Sequence, residues 1–159
     1  MKTPVYKKTP PRLSHVWQKY NPPLYFVTFN TWQRQTFLAN ERIQHALVRY
    51  GEKNADEGRA IGRYVIMPDH VHLFVRLPSD ARLSEFVRLL KQCLGRSVPR
   101  EARLGSRIWQ PGFFDHLMRR SESYAEKWGY VRENPVRAGL VEYADDWPYQ
   151  GEIVRISGV

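Results

Sequence analysis

Hydrophobic and polar positions after residue 23 alternate between strand-like and helix-like patterns. Strand-forming residues fill Leu24–Asn30, and the apolar run 61–77 contains two strands separated at Pro68, because proline cannot donate to a β ladder. Between these strands, apolar residues recur at helical spacing from Asn40 to about Asp56. The first half of the chain therefore predicts a strand, a helix and a pair of strands.

The second half begins with the same helix-then-strand pattern. From about Asp80, apolar residues at helical spacing predict a second helix, which Pro99 limits. The run 113–118 follows a Pro-Gly pair and predicts a fourth strand. The order β-α-β-β-α-β is that of the ferredoxin-like split βαβ arrangement.

A third helix is expected after the fourth strand. Ser123 and Glu126 fit a capping box at its start, and Pro135 disfavours helical structure at Asn134. Pro135 can open a further helical turn, which Gly139 would close. These C-terminal helices complete the predicted fold.

The predicted fold class is α+β. It comprises an antiparallel sheet of about four to five strands with helices on one face, followed by the C-terminal helices. A chain of 159 residues predicts one domain, placed at 24–150. A basic, flexible arm is expected at 1–23 and a tail at 151–159.

Charge is the strongest compositional signal. The net charge is +9, and no acidic residue precedes Glu41. A basic arm and a basic middle segment favour nucleic acid as the partner, with an anionic membrane as the second possibility and a solvated surface as the plain alternative. The cations predicted to contact DNA are Lys7, Lys8, Arg12, Arg34, Arg82, Arg88, Lys91, Arg96, Arg119 and Arg137.

Cysteine usage and hydropathy indicate the compartment. Cys93 is alone, which excludes a disulfide framework within the chain. The N-terminus lacks an apolar signal core, and no apolar run approaches the length that spans a bilayer. We therefore expect a cytoplasmic protein with no membrane partner.

The fourth predicted element of the chain carries candidate metal chemistry. His70 and His72 alternate with Val71 and Leu73, so both imidazoles should lie on one face of a strand. Two imidazoles on one face can bind one divalent ion. The pair alone leaves open the alternative of two ordinary surface or hydrogen-bonded histidines.

A second candidate group lies in the third helix. Tyr130 and Asn134 are four residues apart and would share one helical face. A phenol can act as a nucleophile, and an amide oxygen can bind a hard metal ion. On spacing alone, the alternative that Tyr130 is a core residue and Asn134 ends the helix remains the stronger.

Three blocks of the sequence are informative together. They are Met-Pro-Asp-His-Val-His at 67–72, Trp-Gln-Pro-Gly-Phe at 109–113 with Asp115-His116, and Tyr130-x-x-x-Asn-Pro-Val-Arg-Ala-Gly-Leu-Val at 130–141. In their order and spacing these blocks resemble the REP-associated tyrosine transposases, which belong with the single-tyrosine HUH transposases of insertion sequences. The resemblance extends over about Leu24 to Trp147.

This resemblance implies a role for each matching position. His70 and His72 would bind the catalytic Mg²⁺ or Mn²⁺, and Tyr130 would be the nucleophile. Asn134 matches a position where relatives place a polar third metal ligand. Tyr124 is the alternative nucleophile if the helix register differs, and Asp115 and His116 receive no catalytic role.

The resemblance also implies a reaction and a substrate. Attack by Tyr130 on single-stranded DNA would give a 5′-phosphotyrosine and a free 3′-hydroxyl, which can be rejoined to another end without ATP. The expected substrate is a palindromic hairpin with an adjacent single strand, where Trp17, Tyr20 and Trp32 could stack on unpaired bases. A monomer is favoured over a homodimer, in a bacterial cytoplasm and associated with the nucleoid.

Two alternatives of other classes remain at this point. A non-catalytic RNA- or DNA-binding module of ferredoxin-like fold would leave the histidines and Tyr130 without a role. A metal-dependent phosphodiesterase would use the histidines with Asp69 or Asp115 and would not need Tyr130.

Overall fold

In the part of the chain that the structure describes, the sheet has five antiparallel strands. We describe residues 22–119 and 122–157 of a computed structural model. The strands are β1 (Leu24–Asn30), β2 (Ala60–Ile66), β3 (His70–Arg76), β4 (Phe114–Leu117) and β5 (Gln150–Glu152). They lie in the order β4-β1-β3-β2-β5, and each neighbouring pair is antiparallel.

Among the described residues, four α-helices connect and cover these strands. They are α1 (Glu41–Ala55), α2 (Leu83–Arg96), α3 (Tyr124–Arg132) and α4 (Asn134–Arg137). The side chain of Asn40 caps α1 by accepting from Ile43 N at 3.0 Å, and Ser123 caps α3 by accepting from Glu126 N. None of the helices among the described residues is both long enough and apolar enough to cross a bilayer.

The predicted ferredoxin-like α+β fold is confirmed, with β5 added beside β2. The second helix starts at Leu83 rather than near Asp80, because a turn over 78–81 comes first and Arg82 keeps an extended backbone. The third helix ends at Arg132, in agreement with the expected end by Asn134. The further helical turn is also present, and it begins at Asn134 rather than at Pro135.

Both faces of the sheet are covered, by different elements. On one face, α1 and α2 pack on Val27, Leu73 and the other strand residues whose side chains project to that face. The opposite face carries Phe26, Phe74 and Val65 and is covered by residues of α3 and of the C-terminal segment. Because side chains alternate along β3, His70 and His72 share the face that α3 covers.

The C-terminal segment contributes to this second face. A tail is expected at 151–159 from the sequence, but Gly151 pairs with Tyr64 in the sheet and Ile156 is buried. Trp147 is also buried and donates through Nε1 to the carbonyl of Ile66 at 3.0 Å. Residues up to Ile156 therefore help to support the α3 face.

Gly62 allows α3 to approach β2, and its replacement is a test of this packing. A Cβ at Gly62 would lie 2.6 Å from Tyr124 Oη and 2.7 Å from Ile156 Cδ1. We expect Gly62→Ala to lower the free energy of unfolding by about 1–3 kcal/mol, since overpacking forces the core apart. Chemical denaturation measures this change.

The matched control is Gly129→Ala, in the same helix that Gly62 contacts. A Cβ at Gly129 meets nothing within 4 Å. This variant should gain about 0.5–1 kcal/mol, because alanine favours the helix interior. Equal effects of the two substitutions would contradict the close approach of α3 to Gly62.

Candidate active site

Two imidazoles at the start of β3 point their outer nitrogens at each other. His70 Nε2 and His72 Nε2 are 3.1 Å apart, and the rings meet edge to face. Both side chains are partly buried, whereas Val71 between them is fully buried on the opposite face. The strand geometry therefore brings the predicted pair together.

The inner nitrogen of His70 is held by a carboxylate. His70 Nδ1 donates to Asp69 Oδ1 at 2.7 Å, and Arg34 Nε donates to Asp69 Oδ2 at 2.8 Å. Arg34 reaches this position through a turn in which Gln33 and Arg34 both have positive φ, 52° and 56°. A left-handed backbone conformation raises the free energy of residues that have a Cβ, so contacts elsewhere in the fold must stabilise it.

The inner nitrogen of His72 is held by a hydroxyl. Thr28 lies opposite His72 in the β1–β3 register, and Thr28 Oγ1 is 2.7 Å from His72 Nδ1. Because a hydroxyl both donates and accepts, Thr28 can support either tautomer of His72. Phe26 stacks on the same imidazole, with ring centroids 5.4 Å apart and an interplanar angle of 19°.

Burial favours the neutral form of both imidazoles. Burial lowers the pKa of His72 to about 3, assisted by the charges of His70, Arg137, Lys127 and Arg34. Burial also lowers the pKa of His70, although Asp69 opposes that shift. Burial of Asp69 would raise its pKa, but hydrogen bonds and charges from His70 and Arg34 outweigh it, and the pKa is lowered.

This arrangement fits the binding of a divalent ion. Metal-ligating histidines hold their other ring nitrogen to a carboxylate, hydroxyl or carbonyl, as Asp69 and Thr28 do here. Adjacent ligands of an octahedral ion at about 2.1 Å lie about 3 Å apart, close to the 3.1 Å between the two Nε2 atoms. Neutral imidazole is also the form that binds a metal.

Further protein ligands are not supplied by acidic, histidine or cysteine side chains of the described part. Within residues 22–119 and 122–157, no three His, Cys, Asp or Glu side chains group as metal ligands. Both oxygens of Asp69 are already engaged by His70 and Arg34. We therefore expect an additional ligand from these ranges to be an amide, a hydroxyl or a backbone oxygen.

Helix α3 presents different tyrosines to the core and to solvent. Tyr124 is 7% exposed, and its Oη accepts from Arg63 N at 2.9 Å. Val131 is buried on the same side of the helix, whereas Tyr130 lies off this stripe and is 65% exposed. Of the two candidate nucleophiles, only Tyr130 has a phenol that a substrate can reach without unpacking the helix.

Arg137 links Tyr130 to its surroundings. Its guanidinium lies 4.2 Å from the centroid of the Tyr130 ring and donates to Tyr130 O at 2.8 Å. The charge of Arg137 also acts on His72, which places α4 within electrostatic range of the imidazoles. No hydrogen bond between described residues joins the Tyr130 phenol directly to either histidine.

Asn134 lies at the junction of α3 and α4. Its amide nitrogen donates to Val131 O at 2.8 Å, and its oxygen accepts from Arg137 at 2.9 Å. The oxygen retains a second lone pair. Its ligand role stays a prediction.

The predicted DNA-binding cations fall into separate groups. Arg34, Arg119 and Arg137 lie around the α3 face. Arg88 and Arg96 are exposed on α2, which covers the opposite face, and Arg82 is exposed directly before α2. Lys7, Lys8 and Arg12, together with Trp17 and Tyr20, lie outside the described residues. Trp32 is partly buried, and Arg107 lies 4.4 Å above its ring.

Lys91 differs from the exposed cations of α2. Its ammonium donates to the carbonyls of Gln110 and Gly112 at 2.9 and 2.8 Å, and burial lowers its pKa to about 8. Trp109 Nε1 in turn donates to Lys91 O. Lys91 therefore anchors the loop before β4, and at most one of its donors remains for a phosphate.

The Asp-His pair on β4 is split between the two faces of the sheet. Asp115 lies opposite Val27 and therefore faces α1 and α2, away from His70 and His72. His116 lies opposite Phe26 on the α3 face, and its Nε2 is 2.8 Å from Glu122 Oε2. His116 therefore ties β4 to the start of α3.

The supporting roles of several residues were not predicted from the sequence. Thr28 became recognisable only through the register of β1 and β3, and Arg34 reaches Asp69 only through its left-handed turn. Lys127 lies 4.9 Å from the Phe26 ring that stacks on His72. The signal available for Asp69 was its position directly before His70.

The partners of the inner nitrogens give a testable prediction. Asp69→Asn and Thr28→Val should each weaken Mn²⁺ binding about 10- to 100-fold, because such partners orient the imidazoles. Isothermal titration calorimetry measures the affinity. Asp115→Asn, a carboxylate on the opposite face, should bind Mn²⁺ as the unmodified chain does, and an equal loss there would contradict the assignment.

A comparison with protein families gives a match over most of the described chain. The model of the family described as "Transposase IS200 like" matches residues 23–133. This range includes β1 to β4, both histidines and Tyr130.

Two curated relatives are similar in sequence. A Haemophilus influenzae protein assigned to the REP-associated tyrosine transposases is 36% identical over 94 residues, which is 53% of this chain and 53% of that protein. A REP-associated tyrosine transposase of Escherichia coli K12 is 28% identical over 136 residues, covering 79% of this chain and 78% of that protein. The match thus spans about half the length of the first relative.

Two solved structures share the fold. A REP-associated tyrosine transposase bound to a REP hairpin matches with a TM-score of 0.65 and 24% identity, covering 89% of this chain and 94% of that one. A Deinococcus radiodurans protein described as transposase-like matches with a TM-score of 0.53 and 20% identity, covering 74% and 95%. At these identities the likeness supports the α+β fold alone.

Proposed function

Because this chain belongs to the IS200-like transposase family, we propose that it cleaves and rejoins single-stranded DNA next to palindromic hairpins. Tyr130 is the nucleophile, and His70 and His72 hold a divalent metal ion. The hairpin substrate is carried over from the solved relative, which is bound to a REP hairpin. The protein would then act on nucleoid DNA.

The convergence of the two Nε2 atoms carries this proposal. They lie 3.1 Å apart on the sheet face that α3 covers, and each inner nitrogen has its own partner. On the same face, α3 and α4 carry an exposed tyrosine and Arg137, whose charge reaches His72. Metal ligands and a nucleophile are thus supplied by two neighbouring elements.

In the proposed reaction, the Tyr130 oxygen attacks the phosphorus of the scissile phosphodiester. The bond from phosphorus to the 3′-oxygen breaks, the phenol proton leaves to solvent or a nearby base, and the 3′-oxygen takes up a proton. The product is a 5′-phosphotyrosine with a free 3′-hydroxyl. Attack by a 3′-hydroxyl on this ester reverses the chemistry and joins the strands without ATP.

The residues around Tyr130 would orient the reacting groups. Arg137 stacks on the ring and is bonded to the backbone of Tyr130 and the amide of Asn134, which limits the positions of the phenol. Arg34 and Arg119 supply positive charge for the phosphates of the scissile strand. The exposed arginines of α2 would contact phosphates of a separate DNA segment on the opposite face.

The metal ion would be held by His70 and His72, with Asn134 as the proposed third ligand. When bound, Mg²⁺ or Mn²⁺ would polarise the scissile phosphate and stabilise charge on its oxygens. Imidazole ligands favour transition metals over Mg²⁺, so this pair should bind Mn²⁺ more tightly than Mg²⁺.

A tyrosine-independent phosphodiesterase is less well supported. That reading needs Asp69 or Asp115 as a metal ligand. Asp69 is bonded to Nδ1 of His70, on the other side of the ring from Nε2, and to Arg34, and Asp115 faces the opposite side of the sheet.

A non-catalytic nucleic-acid module is also less well supported. Such ferredoxin-like modules stack bases on an open sheet face. Here the aromatic residues Phe26 and Phe74 are buried beneath α3, and Tyr124 contacts Phe74 with ring centroids 4.7 Å apart.

A covalent adduct distinguishes these readings. Labelled single-stranded DNA carrying a palindromic hairpin is incubated with the protein and Mn²⁺ and then separated under denaturing conditions. The proposal expects a labelled protein band that disappears with a chelator. A hydrolase would give cleaved DNA without this band, and a binding module would leave the DNA intact; either result would contradict the proposal.

A further inference from the structure

An exposed aromatic side chain lies on the edge strand next to the histidine pair. Phe114, the first residue of β4, is 59% exposed. It is neither part of the core nor one of the residues placed in the reaction above. Its position in the strand register suggests a use for this exposed ring.

The register places Phe114 in one row with the metal-binding pair. Phe114 lies opposite Thr28, Thr28 lies opposite His72, and His72 lies opposite Val65. Residues directly opposite each other project to the same face of a sheet. Thr28 Oγ1 bonds His72 Nδ1, which fixes that face as the one carrying the imidazoles.

The distance along this row suits a neighbouring nucleotide. Strands are spaced about 4.8 Å apart, so the backbones at Phe114 and His72 are separated by about 10 Å. A phosphate held at the imidazoles therefore leaves the base of an adjacent nucleotide within reach of the Phe114 ring.

Solvent exposure along this row is greatest at Phe114. Val65 is fully buried, His72 and Thr28 are partly buried, and Phe114 is exposed. Helix α3 covers the other end, where Tyr124 packs on Phe74 and meets Gly62. Because β4 is the edge of the sheet, a strand leaving the imidazoles can pass over Phe114 without crossing the helix.

Cationic groups next to this row match the charge of a nucleic-acid strand. Lys127 lies over the Phe26 ring, which stacks on His72, and Arg34 is bonded to Asp69 beside His70. An apolar partner would gain little from these charges, whereas a nucleotide uses both the cations and an aromatic face.

We propose that Phe114 is a stacking platform for one unpaired base of the single-stranded DNA, next to the phosphate that is cleaved. This inference rests on the proposed function for the position of that phosphate. The ring supplies a flat apolar surface at the open end of the row, and the cations supply the phosphate contacts. Base stacking of this kind tolerates any base, because every base has a π-face.

A double-mutant cycle between protein and DNA tests this subsite. The protein carries Tyr130→Phe, so that binding is measured without cleavage, and fluorescence anisotropy is recorded without metal. Each unpaired position beside the hairpin is replaced in turn by an abasic nucleotide. Phe114→Ala should weaken binding of the intact strand roughly 5- to 140-fold.

In the Tyr130→Phe protein, an abasic nucleotide at one position should weaken binding as much as Phe114→Ala does. In the protein that also carries Phe114→Ala, the same abasic nucleotide should weaken binding no further. Phe114→Trp should retain affinity. The control is Tyr143→Ala, which removes another exposed aromatic ring, 64% exposed and outside the sheet. Tyr143→Ala keeps Phe114, so the same abasic position should still weaken its binding, and the effect of the Tyr143→Ala substitution itself should be the same with every oligonucleotide.

Two results would overturn the subsite. In the first, the Phe114→Ala variant binds every oligonucleotide as tightly as its parent does. In the second, the affinity lost through Phe114→Ala adds to the affinity lost at every abasic position. Failure of the proposed function would instead appear as the absence of a covalent adduct in the unmodified chain. Because the cycle uses metal-free binding alone, the two failures are separate measurements.

Discussion

Replacing Tyr130 by phenylalanine should abolish DNA cleavage and leave DNA binding intact. The substitution removes the attacking oxygen and keeps the ring, so the contact with the Arg137 guanidinium at 4.2 Å is preserved. Loss of an enzyme nucleophile costs at least about a thousandfold in rate. Cleavage on denaturing gels and affinity by anisotropy measure the two properties separately.

Tyr124→Phe is the matched control for this experiment. It also removes one phenol from α3, but that phenol is buried and accepts a hydrogen bond from Arg63 N. This variant should lose about 1 kcal/mol of stability and still cleave DNA. Cleavage that survives in Tyr130→Phe and disappears in folded Tyr124→Phe would transfer the nucleophile to Tyr124.

Loss of either imidazole should remove both metal binding and cleavage. Replacing a partner of a ligand already costs about 10- to 100-fold in metal affinity, so replacing the ligand itself in His70→Ala or His72→Ala should cost more than about 100-fold. Mn²⁺ affinity by calorimetry and adduct formation at saturating DNA give the two readouts. Circular dichroism establishes that each variant is folded.

His45→Ala is the control for these substitutions. His45 is an exposed imidazole on α1, on the opposite face of the sheet from the pair. Its removal should leave Mn²⁺ affinity and cleavage unchanged. An equal loss in His45→Ala, or full cleavage by His70→Ala, would contradict the assignment of the metal site.

The parts of the fold with strong local patterns were predictable from the sequence. β1 was predicted with the bounds that the structure has, because Leu24–Asn30 is an unbroken run of strand formers ended by a polar segment. β5 was not predicted, since Gln150–Glu152 has little strand propensity. It forms because the edge of β2 offers hydrogen bonds and Gly151 fits against Tyr64, which is a tertiary effect.

The candidate site also combines local features, which the sequence predicts, with features that depend on strand pairing. The alternation of His70 and His72 is a local property of a strand, so their shared face could be predicted. Thr28 and Phe114 depend on how β1 pairs with β3 and β4, and a single sequence does not give that register. The split of Asp115 and His116 between two faces depends on it as well.

The covalent link between Tyr130 and DNA is the central claim, and mass spectrometry tests it most directly. The denatured adduct formed with Mn²⁺ is digested with protease and nuclease, and the modified peptide is sequenced. We expect a nucleotide 5′-phosphate on Tyr130. A nucleotide on Tyr124 or on any other residue, or DNA cleaved without a modified peptide, would contradict this account.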